Sequence, residues 1–343
     1  MQKYHVIIAG ASFAGLAVAS KINGDVLLID RNDIGAHQNS ACGTTVKMVK
    51  DIGCEKSILR TFDVATLHTE NKGIDIPLPE PFCTIDYQKF CTLLAEKTTA
   101  EFLKVDVRGV KNGKVITSKD NFEADILGDY TGSGAVLASS LKENYVNRRM
   151  LSFGIETEVP YNDNKLRFFM NPNIIENGVA WLFPCKKTAR FGVGSYVGNT
   201  TILNNLKKFL KVYKLKVDKI HGGYFCYHLK NPIVKNIFVT GCAASQTLPL
   251  TGEGIRRSVY SGLSCGEIIQ RILEGETSLE QGQREYKEII LRCERHYDWL
   301  LKTQNKLQTL ANWKLNLIAR LLGIKAVANW AWGKYVRISN NLK

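Results

Sequence analysis

Val6-Ile7-Ile8-Ala9-Gly10-Ala11-Ser12-Phe13-Ala14-Gly15, with Val26-Leu27-Leu28-Ile29-Asp30 after it, is the stretch that decides the fold. His5 to Ala9 is a short apolar run of the kind a strand buried on both faces requires. Gly10 to Gly15 is a tight loop, and Leu16 to Ile22 reads as a helix whose small residues allow close packing on a sheet. Val26 to Ile29 is a second strand, closed by Asp30. This is a βαβ start. Gly10, Ser12 and Gly15 form G-x-S-x-x-G, a variant of the dinucleotide loop. The first glycine permits the turn, the last lets helix approach strand, and the helix N-terminus offers free N–H groups to a pyrophosphate. Ser12 allows a fairly close approach, with Phe13 and Ala14 completing the loop. Asp30, beside Arg31, stands where an acid would bond a ribose hydroxyl. A tight structural turn is the plainer reading. The strand before it, the helix after it and the acid at the right distance favour a nucleotide site.

Two more segments join this one. Asn236 to Thr240 reads as a strand leading into Gly241-Cys242-Ala243-Ala244, and Pro249-Leu250-Thr251-Gly252-Glu253-Gly254-Ile255 opens a long helix over residues 253–274. Asp129-Tyr130-Thr131-Gly132-Ser133-Gly134 forms a turn between the two ends. Together these resemble the G-D-A-A…P-x-x-G-x-G and A-T-G signatures of flavoproteins related to para-hydroxybenzoate hydroxylase. The resemblance covers most of the first 275 residues and implies FAD as cofactor. It also implies that Asp129, Gly132, Gly241, Cys242, Pro249, Gly252, Glu253, Gly254 and Ile255 contribute to the cofactor site. A helix pointing its N-terminus at the flavin would favour the anionic reduced form.

Within that superfamily the chain is similar to the geranylgeranyl reductases. Gly178-Val179-Ala180-Trp181-Leu182-Phe183-Pro184, followed by Arg190-Phe191-Gly192-Val193-Gly194, resembles their W-x-F-P strand, and Ala41-Cys42-Gly43 resembles their Cys-Gly loop. The resemblance implies that Trp181, Phe183 and Pro184 line the substrate cavity. It places Cys42 and Gly43 beside the isoalloxazine, with Cys42 as the candidate catalytic residue. The plainer readings are that Trp181 and Phe183 are core on one strand face, and that Cys42 is a small buried hydrophobe. The chain departs from the family at Cys242, where the relatives carry Asp. It departs again at Ile85-Asp86-Tyr87, where they commonly carry Arg; Lys89 is the nearby substitute.

The fold class expected is α/β: a three-layer, Rossmann-like FAD-binding fold with an inserted antiparallel substrate domain and a C-terminal helical tail. The expected boundaries are 1–145 and 222–275 for the FAD-binding domain, 146–221 for the substrate domain and 276–343 for the basic helical segment. Residues 31–100 read as irregular apart from helices near Val46–Ile52 and Tyr87–Thr98. Extended segments follow at 101–110, 114–118 and 122–128, with a turn at Lys111-Asn112-Gly113.

Composition removes several other classes. The 343 residues are 45% hydrophobic and 23% charged, an ordinary globular balance. Nine scattered cysteines without a CxxC pair argue for reduced thiols rather than disulfides or zinc. No metal is expected, and the six histidines read as ordinary. No apolar stretch is long enough to be a transmembrane helix, and no signal peptide is expected.

The net charge is +14, yet Trp299 to Lys343 has no acid and eight bases: Lys302, Lys306, Lys314, Arg320, Lys325, Lys334, Arg337 and Lys343. Interleaved with Trp313, Trp330, Trp332 and Tyr335, they suit either a helix packed on the body or a segment on an anionic bilayer, and the two are compatible. Nucleic acid is not an expected partner.

The function expected is reduction of isoprenoid double bonds in a lipid or prenyl precursor, with NAD(P)H or reduced ferredoxin as electron donor. The expected location is cytoplasmic, peripheral at the inner face of the membrane. The alternatives are a flavin monooxygenase or halogenase, and a flavin-free lipid carrier.

Overall fold

The structure is a computed structural model describing residues 3–340, with side chains to Tyr335. Lys343 and the side chain of Arg337 lie outside the described residues. Strand β1 (Lys3–Ala9) runs through helix α1 (Phe13–Ala19) to strand β2 (Val26–Asp30). Strand β3 (Gly43–Thr45), helix α2 (Val46–Asp51) and a long hairpin of β4 (Ile58–His68) and β5 (Gly73–Ile85) follow. Helix α3 (Tyr87–Ala95) leads to β6 (Glu101–Lys104), β7 (Val107–Lys111), β8 (Lys114–Thr117), β9 (Asn121–Asp129) and helix α4 (Val136–Leu141). Strands β10 (Ser152–Pro160), β11 (Leu166–Phe169), β12 (Gly178–Pro184) and β13 (Thr188–Ser195) precede helix α5 (Leu203–Val212). Strands β14 (Ile220–Phe225), β15 (Ile233–Val234) and β16 (Ile237–Val239) come next. Helices α6 (Ile255–Leu273), α7 (Leu279–Leu291), α8 (Glu294–Gln308), α9 (Asn312–Leu322) and α10 (Lys325–Asn340) follow.

The first sheet runs β15-β16-β9-β1-β2-β6, with the β7–β8 hairpin attached through β9. Its central strands are parallel. Their unbroken apolar runs have a simple cause. Val6, Ile8, Val26 and Leu28 enter one core, while Ile7, Ala9, Leu27 and Ile29 enter another, because successive side chains alternate between faces that are both covered. Helices α1 and α6 cross closely over the first face. A Cβ added at Gly262 would lie 2.8 Å from the Ala14 carbonyl oxygen, and one at Gly266 would lie 2.5 Å from that of Val18. Asn112 (φ 51°) and Gly113 (φ 76°) turn the β7–β8 hairpin, both in the left-handed region as a tight hairpin requires.

The second sheet runs β14-β10-β13-β12-β11-β4-β5-β3. One face packs on α5, with Ile155, Val159, Leu182, Phe191 and Val193 against Leu206, Phe209 and Leu210. The alternate residues turn to the other face: Gly154, Glu156 and Glu158 on β10, Arg190, Gly192 and Gly194 on β13, and Trp181 and Phe183 on β12.

Two expectations change here. Residues 43–85, read as largely irregular, supply three strands of the second sheet, so that sheet is not confined to 146–221. Pro77, Pro79 and Pro81 hid β5, since proline argues against a strand. They are tolerated where the β4–β5 register shifts and before β3 pairs with Phe82, Cys83 and Thr84. The segment 101–110 is two strands, β6 continuing the parallel sheet and β7 turning away into its hairpin.

Candidate functional site

The three glycine motifs meet at the carboxyl ends of β1, β9 and β16, interior strands of the first sheet. Gly10 (φ 105°) lies under the Tyr130 carbonyl, where a Cβ would be 2.3 Å from the oxygen. A Cβ on Gly15 would be 1.8 Å from the Gly10 oxygen. The turn Gly132–Gly134 lies against Gly241–Ala244, and Gly241 faces Ala14 of α1. The members that reach the surface are Ser12, Thr131, Gly132, Ser133, Gly134, Cys242, Leu250, Thr251, Gly252 and Gly254. Gly132 (φ 76°) and Gly252 (φ 66°) have open space where a Cβ would stand. These exposed backbones, beside the N-terminus of the 19-residue α6, suit a flavin dinucleotide in type and placement.

Individual residues refine the reading. Asp30 accepts from the Ala11 N–H (2.9 Å) and the Asn32 N–H (2.8 Å), so it shapes the loop as well as facing outward; Arg31 is exposed. Ser12 Oγ lies 3.1 Å from the Tyr87 hydroxyl. Tyr87 thus touches the glycine loop from the segment where the resemblance led to an Arg being expected. Asp86 caps α3 by accepting from the Lys89 N–H, and Lys89 itself is exposed. Phe13 is buried against Tyr87 and Phe90. Asp129 departs from expectation. It is 0% exposed and accepts from Thr131 N–H and Oγ–H and from Ala138 N–H, leaving no surface for a ligand. Burial raises its carboxyl above the ordinary value, against those hydrogen bonds. Asp129 therefore braces the turn from inside.

Cys242 Sγ points toward the Tyr224 carbonyl (3.9 Å) and pairs with Cys226. The bond from Cys242 pulls the Cys226 thiol below its ordinary value, against burial and with help from Lys230 and Ser245. An aspartate at 242 would aim a carboxylate at a carbonyl, so this pocket is shaped for sulfur.

Pro249, Glu253 and Ile255 are buried around the start of α6. Glu253 pairs with the buried Arg256 (2.7 Å), whose guanidinium lies over the rings of Trp332 and Tyr335. The Tyr335 hydroxyl reaches Thr251 Oγ1 (2.7 Å) and the Glu253 carboxylate. Helix α10 therefore clamps the Thr251–Ile255 turn, and the basic segment packs on the body. It also keeps an open apolar face. Trp313 (65% exposed), Leu317, Leu321 and Ile324 lie at helical spacing along and just beyond α9, with Trp330 and the bases Lys314, Arg320, Lys325 and Lys334 around them.

The Cys-Gly loop and the aromatic strand meet. Cys42 has φ 55°, a left-handed conformation uncommon outside glycine, and its thiol donates to the Ser40 carbonyl. Burial pushes that thiol far up, so it stays protonated. A Cβ on Gly43 would lie 2.7 Å from the Phe183 ring and 2.9 Å from that of Phe82. Arg190 ties the loop to the sheet, donating to the carbonyls of Ala41 (3.2 Å) and Ile85 (3.1 Å) while pairing with Glu158 (2.9 Å). Thr84 donates to the Pro184 carbonyl (2.8 Å). Phe183 packs with Phe62, Phe82, Phe168 and Trp181, an apolar patch beside the loop.

Sequence reasoning missed one group. Glu156, His221, Trp181 and Gln38 converge by hydrogen bonds. The signal was the alternation Gly154-Ile155-Glu156-Thr157-Glu158, which sets a carboxylate on the face of Trp181. No group of His, Cys, Asp and Glu suited to a metal occurs among the described residues. No described helix is long and apolar enough to cross a membrane.

No family model matches the chain. It is 24% identical to a digeranylgeranylglycerophospholipid reductase of Methanococcus vannielii, over 93% of this chain and 90% of that one. It is 24% identical to a reductase of the same name from Methanosphaera stadtmanae, over 84% and 80%. Its fold matches a geranylgeranyl bacteriochlorophyll reductase-like protein of Thermoplasma acidophilum with TM-score 0.84 at 19% identity, covering 100% and 99% of the two chains. A probable FAD-dependent monooxygenase of Pseudomonas aeruginosa shares the fold less closely, with TM-score 0.71 at 14% identity over 90% and 96%.

Proposed function

Because this chain belongs to the geranylgeranyl reductase family of FAD-dependent oxidoreductases, we propose that it binds FAD and saturates isoprenoid double bonds of a lipid or prenyl precursor. The observation that carries the reading is the seating of Gly43 on Phe183. It joins the Cys-Gly loop to the aromatic strand and sets an apolar wall beside the cofactor cradle.

In this reading Gly10–Gly15 and the start of α6 hold the pyrophosphate and flavin, with Asp30 and Arg31 at the adenosine end. Gly132, Gly241 and Cys242 lie along the ribityl chain, and Cys42 and Gly43 flank the ring. When bound and reduced, the flavin supplies hydride to one alkene carbon. The chain supplies what an isolated alkene lacks. Phe82, Phe168 and Phe183 keep the site dry, and Trp181 helps to orient the prenyl chain over it, while Pro184, paired with Ala189, turns to the α5 face and gives its carbonyl to Thr84. Cys42, held as a neutral thiol, presents a small apolar surface to the ring. The open face of α9 and its bases suit an anionic lipid surface, where such a substrate resides. The electron donor is NAD(P)H or a reduced ferredoxin, and the location is the cytoplasmic face of the membrane.

The test starts with a yellow purified protein. Its flavin is reduced anaerobically, a geranylgeranyl lipid is added, and the product is weighed. Reoxidation with gain of one H2 per double bond supports the reading. Products bearing oxygen or halogen, formed only with O2, would replace it with a monooxygenase or halogenase. Absence of any flavin would replace it with a lipid carrier.

A further inference from the structure

Saturating an alkene needs a proton as well as a hydride, and the apolar wall around Phe183 offers none. One cross-strand row of the second sheet does. His221, Glu156, Gly192 and Trp181 are direct neighbours in register on β14, β10, β13 and β12, so their side chains share the face that meets the Cys-Gly loop. Gly192 has no side chain, and the Trp181 indole fills its place; a Cβ there would stand 2.1 Å from the ring. The indole can therefore reach across the row. Its Nε1–H donates to Glu156 Oε2 at 2.8 Å. Glu156 Oε1 lies 2.6 Å from His221 Nε2. Gln38, from the loop that ends in Cys42, approaches both, at 3.3 Å and 3.1 Å. The Glu156 side chain is 3% exposed and that of His221 is 22% exposed.

The charged groups around the pair are Arg190 on β13, Glu158 on β10, and the thiols of Cys42 and Cys185. Burial keeps both thiols protonated. Two carboxylates therefore face one guanidinium, and Arg190 is already paired with Glu158. A ring nitrogen and a carboxyl oxygen 2.6 Å apart need a hydrogen between them, so the contact of His221 Nε2 with Glu156 Oε1 itself carries a proton.

Resting on the reductase reading above, we propose that the proton shared by Glu156 and His221 is the one delivered to the alkene. The π bond breaks, hydride from the reduced cofactor forms one C–H bond, and this proton forms the other. The two electrons of the new bonds' reduction come with the hydride, and the cofactor is oxidised. The pair loses one positive charge. Trp181 N–H and Gln38 N–H hold the carboxylate left behind, and water recharges the pair through His221, its more exposed member.

The test uses Glu156→Gln and His221→Asn in the full chain. Gln keeps an oxygen for the Trp181 N–H but cannot share a proton. Flavin content and melting temperature identify variants that keep their shape, and Trp181→Phe measures what the indole alone contributes. In the flavin-free protein, 15N NMR should show His221 Nε2 in a strong hydrogen bond in wild type, and that signature should be lost in Glu156→Gln. In the holoenzyme, single-turnover reduction of the lipid should fall about 100-fold in both variants with KM little changed, and the decline of the wild-type rate with rising pH should vanish in Glu156→Gln. Unchanged His221 ring 15N shifts in Glu156→Gln overturn the shared proton. Full rates in both variants of an active enzyme overturn the donor role alone. A wild-type holoenzyme that reduces no isoprenoid overturns the reductase reading, and the donor role with it.

Discussion

The two sheets of this protein differ in what covers them. The first is packed on both faces, so its central strands carry the unbroken apolar runs Val6–Ala9 and Val26–Ile29, and glycines beside them serve close approach of backbone to backbone. The second packs one face of β10, β12 and β13 on α5, while α9 and α10 lie against β5. On the other face it carries glycines, aromatic rings and a set of paired charges. The first sheet offers its strand ends to the glycine motifs, and the second offers a face to the aromatic and hydrogen-bonded side chains. Glycine marks the difference: at Gly15 its absent Cβ makes room for a carbonyl, at Gly192 for an indole.

Substitutions at those two glycines are the sharpest way to break the comparison. Gly15→Leu forces a side chain onto the Gly10 carbonyl, with no flexible group to yield. It should cost about 3 kcal/mol in urea unfolding, the upper end of overpacking, and remove bound flavin. A variant that purifies with full flavin content would show that the loop does not hold the pyrophosphate. Gly192→Ala should displace Trp181 from Glu156 instead. Turnover should fall about tenfold, while stability falls by about 1 kcal/mol, since the neighbour that must yield is the partly exposed Trp181 side chain rather than backbone. If Gly192→Ala destabilised as much as Gly15→Leu, the second face would be core after all.

Acid titration sharpens the contrast with two carboxyls. Burial raises Asp129 in the first sheet, so the stability tied to its protonated form is lost as pH rises through its folded value. Glu158 in the second sheet is also pushed up by burial, but Thr188 and Arg190 outweigh this and hold it below the ordinary value. Its contribution is complete above the ordinary carboxylate range and is lost as pH falls through the folded value. Glu158→Gln should lower stability at neutral pH and flatten the fall of the urea midpoint below about pH 4.5. An unchanged acid limb would mean that Arg190 gains nothing from Glu158.

The smallest effect on stability belongs to the open face of α9. Leu317→Glu with Leu321→Glu should shift unfolding by less than about 0.5 kcal/mol per site, as exposed positions do. Co-sedimentation with anionic vesicles should nevertheless be lost. Retained sedimentation would assign lipid binding to another surface, and unfolding would make the stripe part of the core.

The comparison explains what could be read in advance. Local rules exposed the first sheet. A strand covered on both faces needs an unbroken apolar run, and a turn that lets helix meet strand needs glycine at set positions, so Val6 to Gly15 and Gly241 to Ile255 announced themselves. The Cys-Gly and W-x-F-P segments were likewise visible as motifs, because each is a continuous stretch. What stayed hidden depends on partners distant in the chain. Prolines in β5 spoke against a strand until β4 paired with it across a shifted register. Asp129 stood in a glycine turn like a ligand, and only enclosure by Thr131 and Ala138 made it an internal brace. The tail's composition suited a bilayer and a packed helix equally. Tertiary structure divided it, turning Trp332 and Tyr335 inward onto Arg256 while leaving Trp313 and Leu317 in the open. His221 and Glu156 are far apart in sequence and unremarkable one at a time. Composition and local pattern determined the dinucleotide fold, since those depend on neighbours along the chain. The pairing of strands alone decided that a histidine, a carboxylate and an indole share one row, because a hydrogen bond needs its two ends in the same place.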